Sequence, residues 1–144
     1  MPEVRVRDAD VEDADALAAL EKAISGVFRP EYWLDELSRY SYPPVCLCAE
    51  GEGELLGLVL GHIRMGDFGF EEDAGWLVNI GVRSDVRDAG IGRRLVEAAI
   101  ERFKALGVRR IFTISEDERL LRFMRAAGFS NATSLQTLTY VTRA

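Results

Sequence analysis

The sequence predicts an α/β domain in which one sheet of short strands is flanked by helices. Two periodicities carry that prediction. Apolar residues alternate through several stretches, as strands require, and recur at three- and four-residue intervals through others, as helices require, with glycines at most changeovers. A third observation bounds it. A chain of 144 residues with 48% hydrophobic content can bury one substantial core, and a second independent domain would have too little material. Residues 1–144 therefore read as a single domain.

Val4 and Val6 alternate with Arg5 and Arg7, a short strand with one buried face. Asp10 then caps a segment whose apolar stripe is Ala14, Leu17, Ala18, Leu20 and Ile24, and Gly26 closes it. Pro30 suits the first turn of a second helix carrying Tyr32, Trp33, Leu34 and Leu37, which ends before Pro43-Pro44. These early helices are placed to flank a substrate cleft. Val45 to Ala49 and Leu55 to Ile63, joined through Gly51-Glu52-Gly53-Glu54, read as an antiparallel hairpin. After a polar loop, Trp76 to Val82 has strand composition, with Gly81 permitting a bulge or the close approach of a ligand. Ile91, Leu95, Ala99, Phe103 and Leu106 then describe an amphipathic helix that stops at Gly107. Arg110 to Ile114 is strand, Leu120 to Ala127 helix ending at Gly128, and Leu135 to Val141 alternates as a last strand.

Eighteen Lys and Arg against 24 Asp and Glu give a net charge of -6, which repels a phosphate backbone and argues against nucleic acid. A local cluster, Arg83, Arg87, Arg93 and Arg94, still suits an anion. The N-terminal Met1-Pro2-Glu3-Val4-Arg5 lacks the apolar stretch of a secretion signal, and no run approaches the roughly 20 apolar residues of a membrane helix. A soluble cytoplasmic protein is the expectation. Cys46 and Cys48 fall on one face of a strand, as small core residues without disulfide geometry. With His62 the only histidine, soft metal ligands are too few, and no metal is expected.

The most informative stretch runs from Ile80 to Leu95, joining a buried strand to an amphipathic helix. Helix-initial amides at such a junction have no intrahelical acceptor, and with the helix dipole they favour a phosphate group. Gly90 and Gly92 leave room for it, and Arg87 and Arg93 can add charge at its rim. A dinucleotide fingerprint would begin with glycine where Arg87 stands. A Walker loop would follow its second glycine with Lys-Ser or Lys-Thr, which is absent.

Arg87-Asp88-Ala89-Gly90-Ile91-Gly92 resembles the coenzyme motif of the GNAT superfamily of N-acetyltransferases, matching each specified place of Gln/Arg-x-x-Gly-x-Gly/Ala. Leu121 to Phe129 is similar to that family's helix ending in Gly-Phe, and the order of elements agrees over nearly the whole chain. The resemblance implies a mixed, mostly antiparallel sheet of about six or seven strands, splayed near Gly81. It implies acetyl-coenzyme A as co-substrate, with pantetheine bonded to backbone around Ile80, Gly81 and Val82. The pyrophosphate would rest on amides of Arg87, Asp88, Ala89, Gly90, Ile91, Gly92 and Arg93, with Phe123 and Met124 also beside the coenzyme. The implied activity is direct transfer of an acetyl group to a primary amine. Asn79 to Val82 resembles the corresponding strand of ribosomal-protein N-terminal acetyltransferases, so a peptide amino terminus and a small amine both stand as acceptors.

Acetyl transfer needs a neutral amine, a polarised thioester carbonyl and often an acid for the departing thiolate. The resembling family commonly has Tyr where this chain has Met124, which cannot donate a proton. Asp117, with Ser115, is the polar alternative, and it equally suits a helix cap. Asp73 is the first choice of base and Glu72 the second, with Glu71 beside them; a solvated loop is the other reading of all three. His62 suits a structural place in a strand, and Asn79 either binds substrate or caps the strand's polar edge. The missing Tyr also admits a regulatory acyl-coenzyme A sensor with little turnover. Exposed edge strands of such an architecture fit a homodimer.

Overall fold

The computed structural model describes residues 3–39, 44–87 and 89–143, so Asp88 and Pro43 lie outside the described residues. These group into two compact units, Met1–Ile114 and Ser115–Ala144. The first holds a sheet of five strands in the order β1 to β5: β1 (Val4–Asp8), β2 (Val45–Gly51), β3 (Glu54–Arg64), β4 (Ala74–Val82) and β5 (Arg110–Thr113). The first four pair antiparallel in sequence order, and β5 pairs parallel to β4. That parallel pair requires a crossover, supplied by a helix, α3 (Ile91–Ala105). Two further helices, α1 (Ala14–Ser25) and α2 (Pro30–Leu37), follow β1. The second unit contains α4 (Glu118–Ala126).

Local chemistry sets the helix limits. Asp10 and Asp13 form a reciprocal cap around a single 3-10 turn that feeds α1, and Gly26 ends α1 at φ 83°. Pro30 opens α2 where its missing N–H costs nothing. Leu17, Ala18 and Leu20 of α1 and Trp33 of α2 pack with Cys46, Cys48, Leu58 and Leu60, so these side chains of β2 and β3 face α1 and α2. Both cysteines are free and buried. Burial pushes the Cys46 thiol up to about 12 and that of Cys48 to about 11.

The opposite face takes α3, and Phe103 seats it. A Cβ at Gly61 would lie 2.7 Å from the Phe103 ring and one at Gly75 2.9 Å, so this fully buried ring occupies a slot that only glycine backbone leaves. Burying a phenylalanine is worth roughly 1.5–3 kcal/mol. Among the described residues no helix is long and apolar enough to cross a membrane.

Two expectations need correction. Leu135 to Val141 forms no strand, and the described sheet has five strands rather than six or seven. Leu138, Tyr140 and Val141 are 83–90% exposed, so their alternation buries no face, and alternation alone does not make a strand without a ladder partner. Of the two readings of Gly81, a bulge or a ligand's close approach, the bulge is not at Gly81 but at Val78. Leu60 pairs with Asn79 and Gly61 with Leu77, which leaves Val78 as an extra residue.

Candidate active site

Strand β4 has two unlike halves. Ala74 to Leu77 pair with β3 on one side and with Arg110 to Thr113 on the other. β5 ends at Thr113, whose Oγ1 donates to the Leu77 carbonyl at 3.2 Å. Beyond that point, among the described residues, Asn79 to Val82 have a strand partner on the β3 side alone, and Val78 is the bulged residue between. Backbone groups along a half-buried, unpaired edge are costly to leave unmet, and an extended, amide-bearing ligand can meet them as an added strand would. Ile80, Gly81 and Val82 lie on this stretch. The room at Gly81 is used by α1: a Cβ there would come within 3.0 Å of Ile24 Cδ1.

The chain leaves β4 through a single 3-10 turn, Ser84–Val86, and reaches Gly90, which precedes α3 at φ 78°. Among the described residues no side chain caps that end, and the helical ladder opens with the Arg94 amide donating to the Gly90 carbonyl. The Ile91 and Gly92 amides belong to the first turn and have no intrahelical acceptor. With the dipole of a four-turn helix behind them, they favour an anion. A Cβ at Gly90 would meet nothing within 4 Å, so the approach is open, while its φ is one that favours glycine.

Gly57 on β3 brings the two features together. A Cβ there would lie 2.8 Å from Leu95 Cδ1, 3.2 Å from the Gly81 carbonyl and 3.3 Å from Ile91 Cγ2. The first residue of α3 thus rests over the unpaired half of β4 because Gly57 has no side chain. The arginines of the expected cluster are largely engaged nearby. Arg83 pairs with Asp85 at 2.7 Å and Glu54 at 3.1 Å, and Arg93 with Glu97 at 2.8 Å. Arg87 Nε donates to the Val82 carbonyl at 3.3 Å. Ala89 is exposed, and the expected contribution of Asp88 falls outside the described residues.

A buried polar network lies on the other side of β4. Glu21 of α1, 6% exposed, accepts from Trp33 Nε1 at 3.1 Å, from Arg29 Nε at 3.2 Å and Nη2 at 2.6 Å, and from Asn79 Nδ2 at 3.0 Å. Burial pushes its carboxyl up, but these donors outweigh burial and hold it below the usual glutamate range. Arg29 also stacks over Tyr32 at 3.8 Å. Nearby, buried Glu36 of α2 meets His62 Nε2 at 2.5 Å, so His62 is tied to α2. The sequence reading passed over Glu21. Its signal was an acidic residue set in the apolar stripe of α1, with an arginine and a tryptophan N–H needing acceptors just downstream.

The expected base residues lie toward the other end of β4. Glu72 and Asp73 precede the paired half of β4 and line a cavity of about 430 Å³ with Phe70, Glu71, Arg109 and Arg110. Arg109 lies 3.5 Å from Glu72. Asp73 lies five positions before Val78, roughly 17 Å of extended chain. In the second unit, Asp117 caps α4, its Oδ1 accepting from the amides of Arg119 at 2.9 Å and Leu120 at 3.4 Å. Met124 is buried and Phe123 half-buried.

Comparison with known proteins shows the family to which the chain belongs. The acetyltransferase (GNAT) family model matches residues 14–129. The chain belongs to the GNAT acetyltransferase family. Solved structures share the fold of this GNAT enzyme at low identity. An aminoglycoside N-acetyltransferase in complex with coenzyme A superposes with a TM-score of 0.81 at 16% identity, over 100% of this chain and 97% of its own. Glucosamine-6-phosphate N-acetyltransferase from Arabidopsis thaliana gives 0.76 at 19%, over 97% and 99%. Ribosomal-protein-alanine N-acetyltransferase from Brucella melitensis biovar Abortus 2308 gives 0.74 at 19%, over 99% and 100%. No curated protein sequence matches the chain.

Proposed function

We propose that this GNAT enzyme is a cytoplasmic, acetyl-coenzyme A-dependent N-acetyltransferase acting on a primary amine within a ternary complex. The observation that carries the reading is the junction of the unpaired half of β4 with the uncapped start of α3. Ile80, Gly81 and Val82 would hold the amide-bearing pantetheine arm. The amides of Gly90, Ile91 and Gly92 would hold the diphosphate, with Arg87 and Arg93 at its rim. Bound there, the coenzyme supplies an acetyl thioester. The chain's own part is to hold the amine beside that thioester, which removes much of the entropy cost of their encounter.

Asp73 and Glu72 are separated from this junction along β4, and Asp117 serves α4 as a cap, so positioning takes the larger share of catalysis. Three acceptors represent the amines named for structures of this fold: sisomicin, glucosamine 6-phosphate and a peptide with N-terminal alanine. Coenzyme A release is measured with each at saturating acetyl-coenzyme A. Acceptor-dependent release supports the reading. Tight coenzyme binding by calorimetry without release from any acceptor would favour the sensor alternative, to which the buried, non-donating Met124 is suited.

A further inference from the structure

The bulge at Val78 does more than end a ladder, because it changes which side of the sheet each later residue faces. Gly75 faces Phe103 of α3, whereas Gly81 faces Ile24 of α1. Both are odd-numbered, and in an uninterrupted strand they would share a face. The extra residue between Leu77 and Asn79 reverses the alternation. Asn79 is therefore turned from the α3 core, where an unpaired carboxamide would be costly, to the α1 side, where Glu21 accepts from its Nδ2 at 3.0 Å.

The chemistry of that bond fixes the amide. Glu21 is an ionised, acceptor-only group whose two oxygens already take donors from Arg29 and Trp33. Only the nitrogen end of Asn79 can face it, since the reverse orientation would set a carbonyl oxygen against a carboxylate. Asn79 consequently directs its carbonyl oxygen away from Glu21. This residue is half-buried and lies between the bulge and Ile80, on the strand half that lacks a β5 partner.

Resting on the N-acetyltransferase reading, we infer that the Asn79 carbonyl oxygen accepts a hydrogen bond from the N–H of the incoming amine, and that Glu21 is the positioning residue holding Asn79 in that orientation. A neutral primary amine has two N–H donors, so it can give one to Asn79 while its lone pair faces the thioester carbon. Attack forms the C–N bond and breaks the C–S bond; the thiolate leaves, and one amine proton is lost to solvent. Asn79 takes no proton in this scheme.

The experiment compares wild type, Asn79→Ala and Glu21→Gln with the best of sisomicin, glucosamine 6-phosphate and the alanyl peptide. It records KM for the amine, KM for acetyl-coenzyme A, coenzyme A affinity by calorimetry, and Tm. Asn79→Ala is expected to raise the amine KM about tenfold, the value of one neutral hydrogen bond, while coenzyme A affinity stays within about twofold. Glu21→Gln, which can present an N–H and so let the Asn79 amide turn over, is expected to raise the amine KM about fivefold, again without weakening coenzyme binding. A lower Tm with an unchanged amine KM would show a purely structural network and overturn the inference. So would equal losses in amine and coenzyme binding. If the wild type acetylates none of the three acceptors while binding coenzyme A, the N-acetyltransferase reading itself fails and the inference falls with it.

Discussion

The two halves of β4 share a sequence character and differ in what surrounds them. Ala74 to Leu77 are buried and paired on both edges, and Gly75 lies against Phe103. Val78 to Val82 are equally strand-like in composition, yet they have lost β5 and are half-buried or exposed. One inserted residue and the end of a four-residue strand account for the difference. Local composition sets the existence of a strand here, whereas the partner strand sets whether its edge is structural or available to a ligand.

The sharpest way to break the comparison is to close the far end of the open half. Gly90→Glu places a carboxylate where an anion is expected, and coenzyme A affinity should fall at least a hundredfold, about 2.8 kcal/mol, by calorimetry. The fold should survive, since a Cβ at Gly90 meets nothing, although the left-handed φ costs about 1–2 kcal/mol. Undiminished affinity would remove the helix start from the site.

Gly57→Ala tests the link between strand and helix. The added methyl would meet Leu95 and the Gly81 carbonyl, so an overpacking loss of about 1–3 kcal/mol is expected in chemical denaturation. Coenzyme affinity should drop roughly tenfold as Ile91 is displaced. A stability loss with intact affinity would mean that α3 and the open edge bind independently.

Glu21 offers a smaller, pH-dependent effect. Its carboxyl is held below the usual range in the folded state, so its stabilising contribution is present above the ordinary glutamate pKa and is lost as pH falls through the lowered value. Glu21→Gln should therefore have the lower Tm near neutral pH, with the gap to wild type closing as pH falls below the ordinary glutamate range. A constant gap would mean that the lost contribution is packing.

The smallest expected effect concerns the paired half. A general base contributes about a hundredfold or more, but Asp73→Asn should change kcat by no more than about twofold, because Asp73 precedes the closed end of β4. A larger fall would return Asp73 to the chemistry.

Much of this was legible in the residues. The anion-binding junction could be read because each part is local: a buried strand, Gly90 and Gly92, and apolar residues recurring four apart from Ile91. Asp10, Gly26 and Pro30 likewise marked helix limits through capping chemistry confined to a few neighbours. Gly81 was read as permitting a bulge or a ligand's close approach, and the bulge lies at Val78, because its position is set by register against β3, a pairing between segments distant in sequence. The last strand failed for the same reason, since Leu135 to Val141 alternate without a partner edge. Glu21 was missed because its donors come from a loop, a second helix and a strand 58 residues away. Asp117 had been given two readings, and the structure shows the cap.

The two cysteines of β2 bear on how the enzyme can be assayed. Both are buried, and desolvation keeps their thiols protonated far above neutral pH. Since the thiolate is the reactive form, a thiol-trapping dye should find almost nothing to label on the native protein. Colour developing in such an assay would then report the coenzyme A released, and a delayed second burst would report unfolding.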